Sequence, residues 1–96
     1  MNTLFTISKT PSSELLEACL HAASSGDCVL FIEDGVYHGI NHKALASIPD
    51  DIEVFYLKED LIARGLADRI VKRCQPASYR RFVELCTQYS KVVSWF

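Results

Sequence analysis

The sequence has no CxxC pair, no apolar run longer than the five residues Cys28 to Ile32, and no glycine-rich loop; each absence removes a class of protein. Its four cysteines, Cys19, Cys28, Cys74 and Cys86, are scattered, three of them inside apolar segments, so neither a disulfide framework nor a zinc site is expected. A membrane span needs roughly 20 apolar residues, and the N-terminus lacks a charged segment followed by an apolar one. The chain therefore reads as cytoplasmic, with no membrane partner. Gly26, Gly35, Gly39 and Gly65 form neither a GxGxxG nor a Walker pattern, so no nucleotide is expected, and no other cofactor or metal is called for.

What is present is a chain of 96 residues, 49 % hydrophobic, which suffices for one continuous core and leaves no room for a second domain, so a single domain over residues 1–96 is expected. The net charge of −2 is unevenly laid out: residues 1–57 carry Lys9 and Lys43 against eight acidic residues, and the remainder carries eight basic against four acidic. Such a split orients a domain against a charged partner, because complementary fields steer encounter and fix docking direction.

Apolar periodicity alternates between strand and helix throughout. Thr3 to Ile7 is short, β-branched and aromatic, and predicts a strand feeding a helix capped by Thr10 with Pro11 at its first position. In that helix Leu15, Leu16, Cys19, Leu20 and Ala23 share a face, and Ser24 to Asp27 stops it. Cys28 to Ile32 is continuously apolar, as expected of a parallel strand covered on both faces, and ends in the turn Glu33-Asp34-Gly35. A short helix is predicted over Asn41 to Ser47, a strand over Glu53 to Leu57, a helix capped by Asp60 and closed by Gly65, and a weak strand over Ile70 to Cys74. A helix over Ser78 to Gln88, with Phe82, Val83, Cys86 and Tyr89 inward, and a last strand over Val92 to Trp95 complete the chain. Strands and helices in alternation imply βαβ units, hence an α/β, three-layer, flavodoxin-like fold with a mostly parallel five-stranded sheet.

In such a sheet, reactive groups gather beyond the carboxyl strand ends, here Ser8 to Pro11, Glu33 to Val36 and Lys58 to Asp60, and these loops contain no cysteine. Asp34-Gly35 reads most simply as turn chemistry, with Gly35 supplying a positive φ and Asp34 bonding local amides. His38 and His42 are four apart, a spacing that on one helix brings two imidazoles together for a metal, but no third ligand is near. A thiolate is the nucleophile of persulfide chemistry, and its formation needs electropositive surroundings. Cys28, Cys74 and Cys86 read as core, and Cys19 sits past the middle of its helix, where the dipole does not lower its pKa.

The segments LFTISKTP, VLFIEDGVYHGI, YLKEDLIARGLADRI and YRRFVELCTQYSKVVSWF resemble the DsrH/TusB family over nearly the whole chain, with EDLIARGL, Glu59 to Leu66, the most specific element. The resemblance implies the smallest subunit of a sulfur relay of the TusBCD or DsrEFH kind, in which two further homologous small α/β subunits assemble with it as a heterohexamer. The principal carrier cysteine then belongs to a larger partner, and no segment here matches that partner's motif. In the TusBCD branch the sulfur becomes the 2-thio group of wobble uridine in tRNA; in the DsrEFH branch it serves oxidation of stored sulfur. EDLIARGL is similar to the tRNA-modifying branch. Cys19, in LLEACLHAA, matches a first-helix cysteine of DsrH-type members, which implies an auxiliary sulfur-carrying thiol. The expected function is thus a noncatalytic TusBCD-like subunit serving tRNA 2-thiolation, the alternative being a DsrH-like subunit using Cys19.

Direct tRNA binding through Arg64, Arg69, Lys72, Arg73, Arg80 and Arg81 is disfavoured by the acidic overall balance and the lack of interleaved exposed aromatics. A final strand at a sheet edge presents unpaired backbone groups, so Trp95 and Phe96 either close the core or line a subunit interface, and the chain alone is a candidate homo-oligomer.

Overall fold

The computed structural model describes residues 2–11 and 14–95. Five strands, β1 (Thr3–Ile7), β2 (Cys28–Phe31), β3 (Glu53–Leu57), β4 (Gln75–Ala77) and β5 (Lys91–Trp95), form one sheet in the order β4-β3-β2-β1-β5, with every neighbouring pair parallel. The helices are α1 (Leu15–Ala22), α2 (His42–Ala46), α3 (Lys58–Ala63) and α4 (Tyr79–Gln88), with 3₁₀ segments at Glu33–Ile40 and Ala67–Arg69.

The handedness of parallel crossovers assigns these helices to layers. From β1 through β4 the chain always steps the same way across the sheet, so α1, α2 and α3 share one face; the return from β4 to β5 passes three strands and places α4 on the other. Side chains alternate accordingly. Phe5, Ile7, Val29, Phe31, Val54 and Tyr56 meet Leu16, Cys19, Leu45 and Leu61 in the larger core, while Leu4, Cys28, Leu30, Phe55 and Ala77 meet Leu85 in the smaller. This is the three-layer, flavodoxin-like α/β arrangement that the alternating pattern predicts.

Several local expectations are corrected. Helix α1 begins at Leu15 after Glu14, with no side-chain cap, so Pro11 is a turn residue rather than the first helical position; part of that stretch, residues 12 and 13, lies outside the described residues. The fourth strand is not Ile70 to Cys74. Arg73 donates to the carbonyls of Leu45 at 2.9 Å, Pro49 at 2.6 Å and Ile52 at 3.1 Å, and also to Ile48, terminating α2 and the turn after it. That holds residues 70–74 as a turn whose Val71 amide bonds Gly39 O at 2.8 Å, and the ladder falls to Gln75–Ala77, where an edge strand tolerates Pro76. On α4 the inward residue is Leu85, 1 % exposed, rather than Val83, 64 % exposed. Ser78 caps this helix by accepting from the Arg81 amide at 3.1 Å, and Asn41 caps α2 likewise from Ala44 at 3.1 Å.

Trp95 is half-buried and packs against the larger core, while Phe96 lies outside the described residues. Gly35 is required for a different reason from the one its turn suggested. Its φ is not positive; instead a Cβ there would lie 1.9 Å from the Ile7 carbonyl oxygen. Gly65, by contrast, has φ +68 and open space around its missing Cβ.

These two glycines give opposite substitutions a clear test. Gly35→Ala forces backbone apart at the end of β1 and is expected to destabilise by about 3 kcal/mol or more, whereas Gly65→Ala is expected to cost only about 1 kcal/mol, the strain of φ above zero. Urea unfolding of both variants measures the difference, and equal losses contradict the packing described.

Candidate functional site

The loops singled out at the carboxyl ends of the strands do converge: the segment Glu59 to Leu66 holds the Glu33 turn, and His38 and Gly35 bring the loop after β1 against it. Asp60 does not cap its own helix. Its Oδ2 accepts the Glu33 amide at 2.6 Å, across to the end of β2, and so holds Glu33, a non-glycine residue with φ +50. A left-handed residue of that kind costs roughly 1–2 kcal/mol, and a charge-assisted hydrogen bond of similar size offsets it. One turn on, Arg64 places Nε and a terminal nitrogen each 3.1 Å from Asp34 Oδ1 and donates to the Asp60 carbonyl at 3.1 Å. Asp34 thus serves an ion pair, not a local turn bond, and with its side chain 60 % exposed the pair adds direction more than stability. Leu61, between these charged residues, and Leu66, after them, are buried.

Strands β3 and β4 are the neighbours whose outgoing connections leave to opposite faces, the position where an open parallel sheet forms a binding crevice. Here the crevice is occupied. Glu59 Oε2 accepts from the Tyr79 amide at the start of α4 at 3.4 Å, and its other oxygen is buried without a partner. Every charged side chain of EDLIARGL therefore links elements to one another at the carboxyl edge.

The thiols lie elsewhere. Cys19, Cys28 and Cys74 are buried, at 0 %, 0 % and 4 % exposure. Burial, with Asp27 adding to it, pushes the Cys19 thiol up to about 12. Burial does the same to Cys28 despite a hydrogen bond with Tyr89, and to Cys74 despite the charge of Arg73, each to about 12. Desolvation thus works against thiolate formation at all three positions in this conformation. Cys86 on α4 is half-buried.

His38 and His42 do not share a helical face. His38 closes the 3₁₀ segment, where three residues make a turn, and His42 opens α2. His38 is 2 % exposed, stacks on Phe31 at 4.9 Å, and bonds the Lys9 carbonyl through Nε2 at 3.1 Å, so Nε2 carries the proton and donates, while Nδ1 is buried without a partner. Among the described residues, no three His, Cys, Asp or Glu side chains gather as a metal site. Two open grooves share Pro11, Asn41 and Lys43: one of about 740 Å³ lies between the Thr10-Pro11 turn and the junction of the 3₁₀ segment with α2, and one of about 600 Å³ lies between α1 and α2; no described cysteine lines either. Of the basic residues considered for RNA, Arg64 and Arg73 are engaged within the fold and Arg80 and Arg81 pair with Glu84. No described helix is long and apolar enough to cross a membrane.

Sequence reasoning missed two residues that tie down the opposite, amino edge of the sheet. Arg73, considered from the sequence only as an RNA contact, satisfies the helix terminus at Ser47-Ile48-Pro49, which leaves carbonyls needing a donor. Asp27, 4 % exposed, was read as part of a helix stop, yet its carboxylate accepts from the Thr3 and Ser24 amides, each at 2.8 Å, joining the start of β1 to the end of the α1 connection.

Comparison with known proteins places this geometry among relatives. The sequence pattern described as DsrH like protein matches residues 9–92. Protein TusB of Escherichia coli (strain SMS-3-5 / SECEC) is 36% identical over 96 residues, covering 96% of this chain and 99% of that protein. Protein TusB of Serratia proteamaculans (strain 568) is 33% identical and that of Yersinia enterocolitica serotype O:8 31% identical, with the same coverage. The solution NMR structure of protein Tm0979 from Thermotoga maritima superposes with a TM-score of 0.70 over 90% of this chain and 92% of that one, at 19% identity, a likeness of fold.

Two outcomes follow from the buried groups. With a chromogenic disulfide reagent, the half-buried Cys86 is expected to react first and Cys19, Cys28 and Cys74 only on addition of denaturant; fast labelling of Cys19 in the folded chain contradicts its burial. Burial holds His38 below its ordinary 6.5, with the Lys9 hydrogen bond opposing. The unfolded chain therefore takes up a proton that the folded chain refuses, and stability falls as the pH drops below 6.5. His38→Gln, which keeps a donor for the Lys9 carbonyl, is expected to flatten that slope in urea unfolding; an unchanged slope assigns it to other groups.

Proposed function

The chain belongs to the DsrH family, and from that membership we propose that it is a noncatalytic subunit of a cytoplasmic persulfide relay, most like the TusBCD type that supplies the 2-thio group of tRNA wobble uridine. The observation that carries this reading is a pairing: near-full-length likeness to proteins named Protein TusB, together with a carboxyl edge closed by Glu59, Asp60 and Arg64 and no ionisable thiol in reach of solvent at that edge. A relay needs a thiolate that attacks a persulfide sulfur and is regenerated by the next acceptor. This chain offers none at the position where its fold places a reactive group, so the carrier cysteine sits on a homologous partner, and the chain's contribution is to complete and orient the assembly. Two such partners, small α/β subunits like itself, build a heterohexamer.

The DsrEFH-like alternative depends on Cys19 as an auxiliary thiol. It requires α1 to lift from the sheet, since Leu16 and Cys19 are the residues that this helix buries.

Co-expression with two homologous small α/β subunits tests the reading. The three chains are expected to purify together in equal amounts, and deletion of this chain's gene is expected to remove the 2-thio group from wobble uridine in tRNA, read by nucleoside mass spectrometry. A chain that stays alone in the presence of such partners contradicts the subunit role, and unchanged thiolation in the deletion strain contradicts the tRNA branch.

A further inference from the structure

Lys9 and Lys43 are the only Lys or Arg residues among the first 57, where eight acidic residues accompany them. Both stand beside one concavity. Lys43 lines the groove of about 740 Å³, and Lys9 immediately precedes the Thr10-Pro11 turn that forms its other wall. The groove opens at the carboxyl edge of the sheet, where a parallel fold gathers its chemistry. Its floor is apolar and fixed, because Tyr37 and Ile40 pack against the larger core. Among the described residues, neither a carboxylate nor a cysteine lines it.

The polar groups around this groove are unspent. Ion pairs among the described residues join Arg64 to Asp34 and both Arg80 and Arg81 to Glu84, which leaves Lys43 without a carboxylate partner. His42 is exposed, and neither its ring nor the Tyr37 hydroxyl is held by another described residue. Lys43 also borders the second groove, whose α1 wall carries Glu14 and Glu17, but both are exposed and neither pairs with it. One cation and two further donors over an apolar floor suit an anion. The surroundings narrow which anion. The acidic half of the chain around the groove repels an extended polyanion, such as an acidic peptide stretch or a nucleic-acid backbone, so the fitting group is single and compact. A carboxylate or phosphate gives up strongly held water on an apolar floor, whereas the terminal sulfur of a persulfide is large, polarisable and weakly hydrated and gives up less.

We propose that this groove binds the anionic terminal sulfur of a persulfide carried by a neighbouring subunit, with Lys43 as its counter-charge and Tyr37 and His42 as hydrogen-bond donors. The proposal rests on the relay reading for the source of the persulfide. It gives this chain a part in the relay without a thiol of its own: the groove steadies the charge on the sulfur while the cysteine stays on the partner.

Thiosulfate, whose anionic terminal sulfur is bonded to a second sulfur as in a persulfide, is the probe for the full chain alone, with NMR of backbone amides and aromatic rings as the readout. Saturable shifts are expected at Tyr37, His42 and Lys43, and sulfate is expected to bind more weakly. Lys43→Gln, at an exposed position that leaves the fold intact, is expected to weaken thiosulfate binding at least about ten-fold. Lys91→Gln, on the edge strand β5, is expected to leave it unchanged. In the complex with two homologous subunits, Lys43→Gln is expected to raise the pH midpoint at which iodoacetamide alkylates the partner's persulfide. Absent thiosulfate binding overturns the site, as does binding indifferent to Lys43→Gln, an equal loss in Lys91→Gln, sulfate held as tightly as thiosulfate, or an unchanged midpoint in the assembled complex. A complex that fails to form overturns the relay reading and this proposal with it, an outcome distinct from an assembled complex whose midpoint does not move.

Discussion

The amide of Glu33 is held by Asp60 at 2.6 Å, and the next residue, Asp34, by Arg64 at 3.1 Å. These two contacts join the carboxyl ends of β2 and β3 and make the sharp reversal after β2 possible: Glu33 turns through φ +50, and Gly35 is carried so close to the Ile7 carbonyl that no side chain fits. The 3₁₀ segment that follows is eight residues long, well beyond the usual three or four. It persists because both its start and its far side are tied, the far side by His38 on the Lys9 carbonyl. Through Glu59 on the Tyr79 amide, the segment Glu59 to Leu66 also reaches the start of α4.

A parallel sheet ordinarily leaves this edge open, and that is where its chemistry gathers. Here the polar groups of the edge are turned on one another, and three of the four thiols are placed under α1, within the sheet and behind the 3₁₀ segment, where desolvation favours their protonated form. The fold therefore keeps the architecture of a reactive α/β domain while its own residues close the reactive position. What remains outward is surface: an acidic first half, a basic second half, and an apolar stripe on α4 that packing within the chain leaves uncovered.

Much of the fold was legible because it depends on local pattern. The apolar runs Thr3 to Ile7, Cys28 to Phe31 and Glu53 to Leu57 are strands for the reason their composition suggests, and Asn41 and Ser78 stand at helix starts where their side chains accept amides. The misreadings share one cause, long-range contact. Ile70 to Cys74 has strand composition, but Arg73 is drawn to the carbonyls at the end of α2. Val83 and Leu85 fit a helical stripe equally well, and only the position of the sheet selects Leu85. Asp60 and Asp34 carry turn chemistry in their sequence, yet their partners lie 27 and 30 residues away. The candidate site was legible in outline, since the three loops named do meet, but the closure of that site by EDLIARGL was not, because no periodicity encodes a bond between two turns.

The central claim is that this chain contributes position to a sulfur relay and contributes no thiol. Its most direct test is sulfur flow through the assembled complex containing Cys19→Ala in this chain, from a persulfide donor to the final acceptor, with each subunit's mass followed in time. The account predicts undiminished flow and no added sulfur on this chain in either form. Sulfur accumulating on the wild-type chain and lost with Cys19→Ala, together with slowed delivery to the acceptor from a complex that is still assembled, contradicts it.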